Sequence, residues 1–170
     1  MEHLPINHRM RPFWRTLAFF TGVFVLVFGI IGFVKSTAAG LEWFAQDDLP
    51  TAIFMQANPA FSLLSIVVGG IITLGVIIGR NVDRWINLAA SVVFLLVGMG
   101  MLAVLRTDLN YFGFTMATCI TSFLVGTLLG TAGLYGKVGS EAEAAAEEEF
   151  RHATVPEEQG TAIGKIQEES

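Results

Sequence analysis

The residues able to do chemistry are few and scattered. His3, His8 and His152 are the only histidines, and all lie near the chain ends, away from any carboxylate or thiol partner with metal-ligand spacing. Plain solvent exposure is the reading for all three. Cys119 is the only cysteine, so no intramolecular disulfide can form, and it sits inside an apolar run. A small packing residue is what that setting implies. Glu42, Asp47 and Asp48 are the densest carboxylates outside the C-terminal tail. They lack the regular oxygen-ligand spacing of a calcium loop and read as a solvated acidic face. The glycines follow helix-packing intervals and form no phosphate cradle. No nucleophile stands near a base. The sequence therefore points to a non-enzyme, with no catalytic residue, cofactor or metal site to assign.

The elements that carry these residues explain the scarcity. Of the residues, 53% are hydrophobic and only 15% charged, where a soluble domain carries about 25% charged residues. Apolar stretches free of Asp, Glu, Lys, Arg and His run over 16–34, 58–79, 85–105 and 109–136. At ~1.5 Å per residue, each is long enough for a hydrocarbon core of ~30 Å. Lipid offers backbone N–H and C=O groups no partner, so each stretch must form a helix. The expected fold is an all-α membrane protein, a four-helix transmembrane bundle over 14–136. A secretory signal peptide is the alternative for the first stretch, because small residues follow it at 36–39. Its apolar run exceeds the ~7–15 residues of a signal core, and Lys35 interrupts the approach to the small residues.

Lys and Arg set the expected orientation. Arg9, Arg11, Arg15, Arg80, Arg84, Lys137, Arg151 and Lys165 fall on one side of this topology, and only Lys35 and Arg106 on the other. The positive-inside rule places segment 1–13, the second loop and tail 137–170 in the cytoplasm, giving two in-out-in hairpins. Trp14, Trp85 and Tyr135, with Arg15 and Arg84, would anchor the inner interface. Trp43, Tyr111 and Phe112 would anchor the outer one.

Helices associate in lipid where small residues let backbones approach. Thr118, Ser122, Gly126 and Gly130 form such a stripe in the fourth span, with Ala132 and Gly133 a turn on. Ser65, Gly69 and Thr73, then Gly75 and Gly79, form another in the second. These stripes predict that spans two and four make the closest contact. A faint internal repeat supports a two-hairpin design. Trp14, Leu17, Ala18 and Gly29 align with Trp85, Leu88, Ala89 and Gly100, and at a different offset Ser65 and Gly69 align with Ser122 and Gly126. Because both hairpins would run the same way, the repeat is parallel.

Loop 35–57 is the only long outer loop, and mixes Leu41, Trp43 and Phe44 with acids, as suits a headgroup region. Pro50 near the start of 49–56 predicts a short interfacial helix leading into span two. Nine of the fifteen acidic residues follow Ser140. The net charge of -5 is thus a tail property, and without a basic stripe nucleic-acid binding is excluded. Ala- and Glu-rich 141–153 should be partly helical, and 154–170 reads as disordered.

Gly22, Phe24, Gly29 and Gly32-Phe33 in span one, Asn58 opening span two with Gly69 and Gly70 beyond it, and Gly126, Gly130 and Gly133-Leu134 in span four form a recurring set. Over 16–136 this set resembles a family of small membrane proteins common in actinobacteria, catalogued as domain of unknown function 4383. Members often carry His shortly after that Asn and again early in span four. Here 59–65 and 118–122 hold none, so no role of those histidines transfers. The resemblance implies four spans and a bacterial plasma membrane; the family has no established activity.

Three functional readings follow. The first is a non-catalytic accessory or scaffold subunit packing against a larger membrane complex. The second is a homo-oligomeric channel or small-solute carrier using the Ser and Thr of spans two and four. The third is a sensor signalling through its tail. The lipid bilayer is the one partner common to all.

Overall fold

The computed structural model describes residues 11–79 and 82–136; the expectations for the N-terminal residues before them and for tail 137–170 lie outside the described residues. Four helices, α1 (Arg11–Ala38), α2 (Pro59–Ile78), α3 (Val82–Val104) and α4 (Met116–Tyr135), are each long and apolar enough to cross a membrane. A two-stranded antiparallel ribbon, β1 (Thr51–Ala52) and β2 (Met55–Gln56), lies between α1 and α2.

Much of what the helices bury is small or polar, and much of what they expose is large and apolar. On α3 the buried residues are Asp83, Asn87, Ser91 and Gly98, none of them a large aliphatic. Val92, Val93, Leu96, Met99 and Leu102 of the same helix face outward. α2 buries Ser62, Ser65, Gly69 and Gly75 together with Ile72 and Val76, and exposes Leu64, Ile71, Leu74 and Ile77. Exposed apolar side chains on this scale are foreign to soluble monomers and fit a lipid-facing surface. The chain is a multi-pass membrane protein: small residues line its helix seams, Val25, Ile72, Val76, Val125 and Leu129 form a buried aliphatic core, and the remaining large aliphatic side chains face outward.

The helices pair in sequence order. α1 packs along α2 and α3 along α4, with lighter α1–α4 and α2–α3 contacts, so α2 and α4 lie across the diagonal. This corrects the expectation that spans two and four make the closest contact. Helices that run the same way in an up-down bundle face each other across the diagonal, so each stripe packs on its antiparallel partner instead. A Cβ on Gly69 would run into the backbone of α1, 2.8 Å from Leu26 Cα and 3.0 Å from the Gly22 oxygen. Gly29 returns the contact, 2.6 Å from Ile66 N and 2.7 Å from the Ser62 oxygen. In the second hairpin Gly126 meets Leu95 and the Ser91 oxygen, and Gly98 meets Ser122 Cβ at 3.1 Å and the Cys119 oxygen at 3.5 Å. The two seams correspond position by position: Gly22, Leu26 and Gly29 stand against α2 as Ser91, Leu95 and Gly98 stand against α4. Gly29 is thus matched by Gly98, not by Gly100, whose Cβ would meet nothing within 4 Å.

Two element boundaries differ from expectation. The segment 49–56 forms the β1–β2 ribbon, not a helix. Eight residues cannot stabilise an isolated helix, whereas the ribbon's alternation buries Ala52 and Met55 against Phe28 and Ala57. Its loop places Ile53 at φ 57, a strained position for a β-branched residue. The fourth helix starts at Met116, not at residue 109. Asn110 accepts from Phe114 N through Oδ1 and donates to the Phe114 oxygen, closing a turn that Gly113 completes at φ 61. Thr115 and Thr118 then form a reciprocal capping box. α1 also extends beyond its apolar run at both ends. Its 28 residues span about 42 Å, with Arg15 and Lys35 near its two ends.

Candidate functional site

Two polar clusters close opposite ends of the bundle, and the sequence pattern named one member of each, Arg15 and Asn58, without its partners. At the end holding the start of α1, Arg15 reaches across two other helices. Its Nη2 donates to the Val76 oxygen at 2.6 Å, and its Nε lies 3.5 Å from Asp83 Oδ2. The Asp83 side chain is 3% exposed and that of Arg15 36%. Asp83 Oδ1 also accepts from Arg84 N at 2.9 Å, in the first turn of α3, where a carboxylate meets the positive end of the helix dipole. Gly79 ends α2 at φ 68, and its backbone presses against the guanidinium, with Arg15 Nη2 3.1 Å from a would-be Cβ. A side chain at Gly79 would be strained and would dislodge Arg15.

From Asp83 a buried polar column continues along α3. Asn87 and Ser91 follow at one-turn intervals, 3% and 5% exposed. Among the described residues, Asn87 Oδ1 is buried with no hydrogen-bond donor. Ser91 Oγ lies 2.6 Å from a would-be Cβ on Gly130, so the small-residue stripe of α4 makes room for this column.

At the opposite end Asn58, fully buried, is the hub. Its Oδ1 caps α2 by accepting from Phe61 N at 2.9 Å. Its Nδ2 donates to the Ala45 oxygen at 3.0 Å and the Tyr111 oxygen at 2.9 Å. One side chain thereby ties the α1–α2 connection to the α3–α4 connection. Phe44 and Phe61 both pack on Phe112, and Gln46 Nε2 donates to the Asp108 oxygen, reinforcing the same joint.

The packing residues named from sequence divide between the two hairpins. Ser65, Thr73 and Ser122 donate their hydroxyls to carbonyls one turn back, at Phe61, Gly69 and Thr118. That satisfies them within their own helix. Thr118 is a capping residue, and Gly69, Gly126 and Gly130 are the close-approach points. Ser65 and Ser122 line a narrow apolar groove of about 90 Å³ with Phe61, Phe94 and Phe114. Among the anchors, Trp14 stacks on Tyr135 at 5.4 Å, joining α1 to α4 at the Arg15 end. The Arg84 guanidinium lies 5.8 Å from the centroid of the outward-facing Trp85. Trp43 sits at the Asn58 end, half exposed beside Phe33.

No family model, curated protein or solved structure matches the chain. Chemistry must therefore be judged from geometry. Among the described residues no three His, Cys, Asp or Glu side chains converge to hold a metal. Asp83 and Asn87 are the residues that sequence reasoning missed. The usable signal was an acid immediately before Arg84-Trp85, at the point where a helix must begin.

Proposed function

We propose that the chain is a non-catalytic accessory or scaffold subunit of a bacterial plasma membrane, with both termini cytoplasmic, that packs against a larger membrane complex. It belongs, on this reading, with the family catalogued as domain of unknown function 4383. The excess of Lys and Arg around the Arg15 end supports the orientation. The observation that carries the functional reading is α3. Only 17% of its apolar stretch is buried within the chain, against 39%, 39% and 44% in α1, α2 and α4. Its outward face combines Val93, Leu96 and Gly100, a ridge with a gap that another helix can enter. Purification in mild detergent followed by mass spectrometry tests this. A stoichiometric companion released by Gly100→Leu supports the reading, and a monodisperse particle without companion contradicts it.

The second reading, a homo-oligomeric channel or small-solute carrier, draws support from the unpaired Oδ1 of Asn87 beside Asp83. Buried polar atoms at membrane depth are costly and often mark a solute path. Liposome flux that is abolished by Asn87→Leu favours it; flux no higher than from empty vesicles removes it.

A further inference from the structure

A groove of about 420 Å³ opens between the start of α1 and the end of α2, lined by Pro12, Arg15, Thr16, Phe19, Phe20, Val76 and Ile77. Its two ends differ in chemistry. The floor and far wall are apolar, and Phe20 and Ile77 are each 64% exposed, so they face the hydrocarbon. The mouth holds the guanidinium of Arg15. Of its five N–H donors, one is spent on the Val76 oxygen and the Nε faces Asp83. Among the described residues, the Nη1 donors have no acceptor. Thr16 offers nothing to a ligand's acceptor, since its hydroxyl donates to the Pro12 oxygen. Asp83 is buried and approaches the guanidinium at Nε, so it fixes the side chain without engaging Nη1.

Charge and depth select the occupant. Segments 9–15 and 80–84 together hold Arg9, Arg11, Arg15, Arg80 and Arg84 against the single acid Asp83. Arg15 also neighbours the Trp14–Tyr135 stack, the kind of aromatic pair that sits at headgroup level. We propose that this groove seats one anionic phospholipid. Its phosphate takes the free Nη edge of Arg15, and an acyl chain lies along Phe19, Phe20 and Ile77. A guanidinium held rigidly by Val76 and Asp83 is preorganised for a phosphate, and a basic pocket between helices is how headgroups are recognised from within a membrane. The site is independent of the α3 face.

The test uses the full chain, delipidated in detergent and titrated with phosphatidylglycerol, phosphatidylcholine or soluble glycerol phosphate, with bound lipid counted by native mass spectrometry. One phosphatidylglycerol should be retained, about five- to tenfold more tightly than phosphatidylcholine, the preference expected of a basic side chain at the headgroup. Ile77→Trp fills the groove at an exposed position without touching the Arg15–Asp83 pair, and should abolish retention. Phe20→Ala removes one wall and should weaken it, while Leu64→Trp, in the separate groove lined by Ser65, Phe94 and Ser122, should leave it unchanged. Equal retention of both lipids, wild-type retention by Ile77→Trp, or displacement of the lipid by glycerol phosphate would each overturn the proposal.

Discussion

Gly69 and Gly70 are adjacent in α2 and should respond oppositely to the same substitution. A Cβ at Gly69 would lie 2.8 Å from Leu26 Cα, about 0.6 Å inside the 3.4 Å at which ordinary contact begins, and it meets Leu26 N still more closely. These are backbone atoms, which cannot rotate away, so α1 and α2 must part along the seam. A Cβ at Gly70 would meet nothing within 4 Å. Both changes to Ala gain the same helix propensity, roughly 1 kcal/mol, which cancels when the variants are compared. What remains is the overpacking cost, about 2–3 kcal/mol for a rigid neighbour. For a chain of 170 residues, at about 2–4 °C per kcal/mol, Gly69→Ala should melt about 4–12 °C below Gly70→Ala. The assay is thermal unfolding in detergent, followed by tryptophan fluorescence. Midpoints within a degree of each other would refute the seam as the place where these helices close.

Four further outcomes follow from the same geometry. Asn58→Ala removes a helix cap and strands two carbonyls at the joint of both connections, and should cost about 2–4 kcal/mol in the same assay. Arg15→Gln leaves the Asp83 carboxylate buried without its partner and should cost about 2–3 kcal/mol, discounted for the partial exposure of Arg15; adding Asp83→Asn should recover part of the loss, as a double-mutant cycle would show. Ile53→Gly relieves a positive φ and should hold or raise the melting temperature, so a clear drop would mean the ribbon needs the side chain. Cys119, fully buried on α4, should resist maleimide in the folded protein and react only after denaturation; rapid native labelling would place it elsewhere.

The four helices were legible because membrane insertion sums hydropathy over some twenty residues, and a sum tolerates local error. Their pairing was not, because a small-residue stripe names the face that packs and is silent on the partner. Gly22, Gly29 and Gly32 in α1 were the missing half of the α2 stripe, and they were visible as residues of the first span. The start of α4 was obscured by Leu109, Tyr111, Phe112 and Phe114, whose apolarity continues the hydropathy signal through the turn that Asn110 and Gly113 make. The ribbon lacks the Asn-Gly or Gly-Asp signature of a two-residue hairpin, and Ile53 takes its positive φ because Ala52 and Met55 gain burial. Arg15 reads from sequence as an interface anchor, and the hydropathy pattern does not single out Asp83. Their pairing depends on three helix ends converging, which no local pattern encodes.

A four-crossing bundle puts both connections joined by Asn58 on one side of the membrane and the α2–α3 connection on the other. Single cysteines at Asp47, Asp108 and Arg84, each introduced in a Cys119→Ser background and probed on intact cells with a membrane-impermeant maleimide, measure it directly. Labelling at 47 and 108, with 84 reactive only after permeabilisation, is the predicted pattern. Labelling of 84 on intact cells together with 47, or protection of 47 and exposure of 108, would contradict a four-crossing bundle of two parallel hairpins.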